Sequence, residues 1–169
     1  MRVINIHKRT IHQSEVKVSG LFKTLATSED DIWPKDKWPA IRFKNGLRVG
    51  NSGGHGRIRY TVIEFVPGKH IKFEFNKPDN FTGTHELKIY SLDVQCTEIV
   101  HKIEMDTTSI KATLLWCLII RWLHDALIED AFDNVENYFF SHKKDLKYSL
   151  WVILLRQIYK RKSFKIKQA

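Results

Sequence analysis

The sequence predicts an α+β fold in which an antiparallel sheet is covered by one long helix near the C-terminus. Between residues 2 and 106, apolar and polar residues alternate in several segments, which is typical of strands with one buried face. Residues 110–140 instead repeat apolar residues at helical spacing. A one-sided sheet must be covered. Because this helix is the only long element left, we expect it to lie in the concavity of the sheet.

The composition indicates one folded domain in a reducing compartment. The 169 residues are 43% hydrophobic and 28% charged, which suits a single domain with a sizeable core. Cys96 and Cys117 form neither a disulfide framework nor a metal-type spacing. The N-terminus lacks the apolar block of a secretory signal. We therefore expect a cytoplasmic protein, either a monomer or a homodimer.

The net charge of +9 is concentrated near the C-terminus. Only Asp145 opposes a run of basic residues there: Lys143, Lys144, Lys147, Arg156, Lys160, Arg161, Lys162, Lys165 and Lys167. A basic tail can bind nucleic acid or anionic lipid, but most such tails are solvated ends. Since no nucleic-acid module signature is present, we do not expect nucleic-acid binding.

The first forty residues predict a strand, a short helix and an ordered loop. Arg2–Ile11 alternates as a strand, and Ser14 is a candidate N-cap for a helix in residues 15–27. The next segment contains two Trp-Pro steps, at Trp33 and Trp38. Proline keeps the preceding residue extended, so this segment is predicted to be a loop that its tryptophans hold on the core.

The middle of the chain predicts the remaining strands. We expect a strand at "LRVGN" from Leu47, a turn at "SGGHG", and strands at "RIRYTVIEFVPG", "KHIKFEFN", "HELKIYSL" and "TEIVHKIEMD". The last three alternate clearly. Their predicted inner face consists of Ile71, Phe73, Phe75, His85, Leu87, Ile89, Ile99, His101, Ile103 and Met105.

At ~100° per residue, the long helix separates into two faces. Asp125, Glu129, Asp133 and Glu136 form a carboxylate stripe that is expected to face water. The opposite, inward face carries His124 together with Cys117, Ile120, Leu127, Ile128, Ala131, Val135 and Tyr138. Because adjacent helix positions do not face each other, this pattern predicts no hydrogen-bonded pair between His124 and Asp125.

His124 therefore points toward the sheet face that carries His85 and His101. A metalloprotease-type helix needs two histidines one turn apart, and this helix has one. Three inward imidazoles could ligate zinc. We favour the alternative that they are hydrogen-bonded polar groups in an apolar interior. The sequence thus predicts no metal and no cofactor.

Four segments, "GGHGRIRYTVIEFVPG", "FTGTHELKIY", "CTEIVHKIEMD" and "LHDALIEDAFD", resemble the SRPBCC superfamily of START-like, helix-grip proteins. The likeness covers about Arg2 to Phe140 and is nearest to the polyketide cyclase/dehydrase-like branch. It implies a curved sheet that grips the late helix and encloses a cavity for an apolar molecule. Residues 1–142 would form this domain, and residues 143–169 a basic helical extension.

The resemblance implies which residues line that cavity. His55, in the glycine-rich turn, and the hydroxyl of Tyr60 are candidates, although apolar residues on both sides of "IRYTVIEF" leave the face of Tyr60 open. The other matching positions are Phe73, Phe75, His85, Leu87, Ile89, His101, Ile103, Met105, Cys117, His124, Leu127, Ala131 and Val135.

Three functions remain open from the sequence. The protein could bind a small hydrophobic or aromatic molecule whose polar group contacts the histidines. It could be a cyclase-, dehydratase- or hydrolase-like enzyme in which His85, His101 or His124 acts as general acid or base. It could instead work through its tail, which can pack on its own domain, contact another protein, or lie on an anionic membrane.

Overall fold

The computed structural model describes residues 1–140 and 143–166, and side chains as far as residue 159. Lys167 and the side chains of the basic residues from Lys160 onward lie outside this part of the chain. Seven strands form one antiparallel sheet in the order β1-β7-β6-β5-β4-β3-β2. Their bounds are β1 Arg2–Ile11, β2 Arg42–Phe43, β3 Ser52–His55, β4 Ile58–Val66, β5 His70–Lys77, β6 Phe81–Asp93 and β7 Cys96–Thr107.

The helices confirm the predicted α+β architecture. The short helix α1 is Glu15–Phe22. A long helix of 30 residues lies against the curved sheet and consists of α2, a π turn and α3, in that order. Their bounds are α2 Ile110–Leu115, the π turn Trp116–Ile120 and α3 Arg121–Phe139. Helix α4, Leu150–Ile166, follows. No helix in residues 1–140 or 143–166 is long and apolar enough to cross a membrane.

Most of the glycine-rich stretch is a strand, and the predicted turn begins only at Gly56. "LRVGN", predicted as a strand, forms a loop, and β3 begins after it at Ser52. A Cβ atom on Gly53 would lie 2.4 Å from the carbonyl oxygen of Arg42. Only glycine lets β2 and β3 approach this closely. Glycine composition predicted a turn here, whereas its structural role is close backbone contact.

A β-bulge in β4 determines the face of Tyr60. The register pairs Tyr60 with Phe75 and Val62 with Phe73, and it shifts between Val62 and Glu64. An extra residue at a bulge reverses the alternation beyond it. This reversal explains the apolar residues on both sides of the segment. Tyr60 faces the helix and is fully buried.

The π turn changes which residues of the long helix face the sheet. Arg121 N–H donates to the Trp116 carbonyl, five residues back, so this turn contains about one residue more than an α-helical turn. The inward position therefore falls on Trp116, which is 4% exposed. Cys117, predicted to be inward from a constant ~100° per residue, is exposed. Tyr138, in the last turn of α3, is also exposed rather than inward.

The carboxylate stripe of α3 does not face water; it packs against β1. The inner face of β1 carries Asn5, His7 and Arg9 between its apolar ends. Arg9 contacts Glu129 at 2.7 Å and Asp133 at 3.0 Å, and it also pairs with Glu136. Asn5 and His7 contact Asp125, and His7 also contacts Glu129. We call these seven residues the polar seam.

The C-terminal segment packs on the domain through α4. Val152 and Leu155 are buried, whereas Leu150 and Leu154 are exposed. The buried carboxylate of Asp130 accepts hydrogen bonds from the Trp38 indole at 2.6 Å and from the Tyr148 hydroxyl. Asp130 therefore joins α3 to the predicted Trp-Pro loop and to the chain that leads into α4. Trp33 is also buried, so the tryptophans hold this loop on the core as predicted.

Replacing Arg9 with methionine should destabilise the fold. The variant keeps an unbranched side chain but leaves Glu129, Asp133 and Glu136 without their shared cation. Since Arg9 is 20% exposed, we expect a loss on the order of 2 kcal/mol, below the ~3–5 kcal/mol of a fully buried pair. Urea unfolding measures it. The control Lys8→Met removes an exposed ion pair with Glu98 and should have a much smaller effect. Equal losses in both variants would contradict a stabilising polar seam.

Candidate functional site

Three imidazoles from three different elements meet between the sheet and the long helix. His85 comes from β6, His101 from the neighbouring β7, and His124 from α3. The ring centroids of His85 and His101 are 5.8 Å apart, and those of His101 and His124 are 4.9 Å apart. The strand register pairs Leu87 with His101 and His85 with Ile103, so both strand histidines face the helix.

Aromatic rings surround His85. Its ring stacks between Phe73 and Phe75, at centroid distances of 4.7 and 4.8 Å, and the Tyr60 ring meets it edge-on at 4.7 Å. On the far side of Tyr60 lies His55, at 6.1 Å. Imidazoles and phenol thus form a continuous row from the helix to β3.

This row lies between two apolar clusters. The larger cluster contains Phe73, Ile89, Leu127, Ala131 and Val135, and Leu87 packs on its edge. The smaller cluster contains Ile103, Met105 and Trp116, with Phe75 packed against it. The His85 ring contacts a phenylalanine from each cluster. The predicted cavity residues therefore divide into two groups with polar rings between them, and Cys117 belongs to neither.

Four polar atoms of this row are buried without a hydrogen-bond partner in the described chain. They are Tyr60 Oη, His85 Nε2, His101 Nδ1 and His124 Nε2. Our expectation that these histidines are internally hydrogen-bonded is wrong for these atoms. An unpaired buried polar atom costs roughly 1–3 kcal/mol, so natural proteins keep few of them. The exposed 13% of the His124 side chain does not include Nε2, which is buried.

His124 also takes part in a chain of hydrogen bonds that leads into the polar seam. Its Nδ1 lies 3.3 Å from Asp125 Oδ1, which is 3.1 Å from His7 Nε2. The other His7 nitrogen lies 2.7 Å from Glu129. The prediction that His124 and Asp125 do not pair is wrong. Their Cα–Cβ bonds diverge, but both side chains extend toward β1, where their polar atoms meet.

The outer end of this chain carries charge. Burial lowers the pKa of His7, but hydrogen bonds to Asp125 and Glu129 outweigh this effect and raise it to about 9. Burial raises the pKa of Asp125, but hydrogen bonds with His124 and His7 bring it below its ordinary value. At neutral pH, His7 is therefore an imidazolium between two carboxylates.

The inner end is neutral. Burial lowers the pKa of His55 to about 3 and that of His85 and His101 well below the ordinary value. Burial also lowers the pKa of His124, against the opposing effect of Asp125. A neutral His124 that donates its Nδ1 proton to Asp125 keeps a lone pair on Nε2, and this lone pair faces the other imidazoles.

Asn5, His7 and Arg9 are not among the site residues that the sequence predicts. Their signal is the alternation in "RVINIHKRTI", where Asn5, His7 and Arg9 lie between the buried ends Val3 and Ile11 of the same face. Polar inner positions on β1 match the carboxylates of the helix in charge. That complementarity can be read from the sequence only when the two elements are known to be neighbours.

Comparison with known proteins supports the fold. No family model matches the chain, and no curated protein matches it. A solution structure from Thermobifida fusca has 10% identity and a TM-score of 0.62, over 86% of this chain and 99% of that one. XoxI from Bacillus cereus has 12% identity and a TM-score of 0.57, over 81% and 95%.

Norcoclaurine synthase from Thalictrum flavum, in a structure with dopamine and hydroxybenzaldehyde, has 12% identity and a TM-score of 0.60. The match covers 86% of this chain and 90% of that one. Identities this low establish the fold alone. It is the Bet v1-like helix-grip fold of SRPBCC-type proteins, in agreement with the resemblance in the sequence motifs.

Replacing His85 with phenylalanine should make stability less sensitive to acid. The folded-state pKa of His85 lies below its unfolded value of 6.5, so its contribution is complete above pH ~6.5 and is lost as the pH falls. Tyr60, His55, His101 and His124 are the titratable groups around it. Phenylalanine can keep the stack with Phe73 and Phe75.

Below pH ~6.5, the wild type should lose up to about 1.4 kcal/mol per pH unit more than the variant. Urea unfolding between pH 5 and 8 (a range of ordinary histidine titration) measures this difference. The exposed His12 provides the matched His→Phe control, because it lies outside the buried row. A His85→Phe slope equal to that of the wild type would show that His85 titrates alike in both states.

Proposed function

We propose that the protein binds a small hydrophobic or aromatic molecule that carries a hydroxyl group, between the sheet and the long helix. The observation that supports this proposal is the set of four unpartnered polar atoms within an otherwise apolar interior. A pocket of this kind typically uses apolar contacts for affinity and a few polar atoms for orientation. A ligand hydroxyl would provide a hydrogen-bond partner for up to three of these atoms.

The aromatic part of the ligand would lie beside the stacked rings. We propose that Phe73, Phe75 and Leu87 contact it from the sheet, with Ile103 and Met105 at the end near Trp116. His55 lies beyond Tyr60 and would close the row. The remaining predicted positions, Ile89, Leu127, Ala131 and Val135, would close the end formed by the larger apolar cluster. Cys117, which is exposed, is not part of this proposal.

The electrostatics favour an uncharged polar group. Burial disfavours charge on all the inner imidazoles and raises the pKa of Tyr60. A charged ligand would enter without a buried counterion, and burying an unpaired charge is far more costly than burying a hydroxyl. A hydroxyl can donate to the lone pair of His124 Nε2 and accept from a neighbouring ring N–H or from Tyr60.

The fold neighbours make such a ligand reasonable. The norcoclaurine synthase structure contains dopamine and hydroxybenzaldehyde, which are small aromatic molecules with hydroxyl groups. The likeness is one of fold, so it suggests probes rather than a natural ligand.

Hydroxybenzaldehyde should bind and perturb the inner histidines. In NMR spectra of protein with labelled histidine rings, we expect the ring signals of His85, His101 and His124 to shift, while those of the exposed His12 stay fixed. Benzaldehyde lacks the hydroxyl and should bind about tenfold more weakly, which corresponds to a loss of ~1.4 kcal/mol. Tyr60→Phe should reduce the difference in affinity between hydroxybenzaldehyde and benzaldehyde.

Ring signals of His12 that move as much as the inner ones would indicate surface binding and reject this proposal. So would equal affinity for the two aldehydes in the wild type. His85→Phe provides a second check, because it removes one unpartnered nitrogen but can keep the aromatic stack.

One observation favours a second function, general acid–base catalysis by His124. Asp125 hydrogen-bonds Nδ1 and leaves Nε2 free, which is how a carboxylate orients a catalytic imidazole. In this alternative, His124 takes a proton from the ligand and Asp125 is a positioning residue. His85 and His101 would then hold the ligand or act as further acids or bases.

Proton exchange would test this alternative. Hydroxyphenylacetone in deuterated water should exchange the protons beside its carbonyl faster with the wild type than without protein. His124→Gln should reduce the rate by ~10²–10⁴-fold. Asp125→Asn should reduce the rate constant at saturation more than it weakens binding. Binding of the ketone without any acceleration of exchange would leave His124 as a recognition group.

A further inference from the structure

We propose that the inner end of the polar seam is a binding site for a divalent metal ion of the zinc type. The ligands would be His7 Nε2 from β1, and His124 Nδ1 and Asp125 Oδ1 from α3. The sequence predicts no metal, because its only candidate ligand set is the three inward imidazoles. Its periodicity places Asp125 on the opposite face of the helix and assigns His7 to no site.

The three ligand atoms already converge. All of them lie within 4.8 Å of one another. Asp125 Oδ1 is 3.1 Å from His7 Nε2 and 3.3 Å from His124 Nδ1. Ligands at ~2.0–2.1 Å from a tetrahedral zinc ion are roughly 3.3 Å apart. A metal would replace the protons that the two imidazoles direct at Asp125, with little movement along these two edges.

The surroundings of His7 match those of a zinc-bound histidine. A metal-binding imidazole usually donates its second N–H to a carboxylate, which fixes its tautomer and orientation. His7 Nδ1 lies 2.7 Å from Glu129 Oε1. The second oxygen of Glu129 is held by Arg9, also at 2.7 Å. The carboxylate behind His7 is therefore itself held in place by a cation.

Asn5 provides an independent indication and a fourth ligand. Its amide nitrogen lies 3.0 Å from Asp125 Oδ1. Its Oδ1 is buried and has no hydrogen-bond partner in the described chain. A half-turn of the amide group exchanges these two atoms and brings the oxygen to the side of Asp125. The set would then be two imidazole nitrogens and two oxygens, a donor set that suits zinc and its neighbours in the first transition row.

This site is separate from the proposed ligand contacts but shares one ring with them. A metal on His124 Nδ1 requires the proton of the neutral ring to be on Nε2. The atom that faces the other imidazoles would then donate a hydrogen bond instead of accepting one. The metal proposal does not require that any organic ligand binds, and its test uses none.

The test is zinc binding by the full-length chain after treatment with a chelator. Isothermal titration with Zn²⁺ should show one saturable site, and Co²⁺ should give the visible absorption of a tetrahedral complex. His7→Gln and Asp125→Asn should each abolish the cobalt absorption and the saturable zinc heat. Glu129→Gln should weaken zinc binding by about 10–100-fold, as expected for a hydrogen-bonded partner of a metal ligand. His85→Phe, outside the site, should bind zinc as the wild type does.

The proposal is overturned if the wild type shows no saturable zinc site, because the convergence at Asp125 is then only an ion-pair network. It is also overturned if His7→Gln and Asp125→Asn bind as the wild type does, since zinc then binds elsewhere. Circular dichroism identifies any variant that fails to fold. Asn5→Ala keeps three ligands and should bind zinc more weakly while retaining a cobalt spectrum.

Discussion

The contact between β1 and the carboxylate face of α3 determines how the long helix is rotated about its axis. Arg9 binds three of the four carboxylates, and His7 and Asn5 bind the remaining one. Apolar packing alone is non-directional and allows a helix to rotate. Paired ions and hydrogen bonds have fixed partners, so rotation would separate them. His124 faces the sheet because its neighbour in the chain is held by β1.

A folded interior with unpaired polar atoms is less stable than one filled with apolar side chains of the same shape. Here those atoms form one layer between two well-packed clusters, rather than being scattered. The clusters can stabilise the fold and offset the cost of the unpaired atoms in the layer. Of the neutral inner histidines, His124 shares a hydrogen-bond chain with the charged His7 through Asp125. Its two ends therefore differ in charge over the length of a few side chains.

Strands β1 and β4 to β7, and the inward positions of His85, His101 and His124, could be predicted because alternation and helical spacing depend on the local sequence alone. The polar seam could not be predicted, because periodicity identifies the polar face of a helix or strand but not the element that packs against it. Asp125 was accordingly expected in water. Cys117 and Trp116 show a second limit of prediction from periodicity. The π turn contains one extra residue, so the helix positions before it are rotated relative to those after it. Helical spacing in the sequence does not indicate where such a turn occurs. At Gly53, the glycine-rich composition suggested a turn. Glycine is needed there because a Cβ atom would collide with the Arg42 carbonyl oxygen on the neighbouring strand.

The π turn has a further consequence for the C-terminal segment. Two indole N–H groups donate to successive carbonyls of this turn, that of Trp122 to Cys117 and that of Trp151 to Leu118, each at 3.0 Å. Trp151 belongs to α4, in the part of the chain that sequence alone presents as an appendage. A homologue or truncated chain that ends before Trp151 would lack one of the two indole hydrogen bonds to the π turn. The C-terminal segment thus helps to keep the Trp116 ring, rather than Cys117, beside the buried His124.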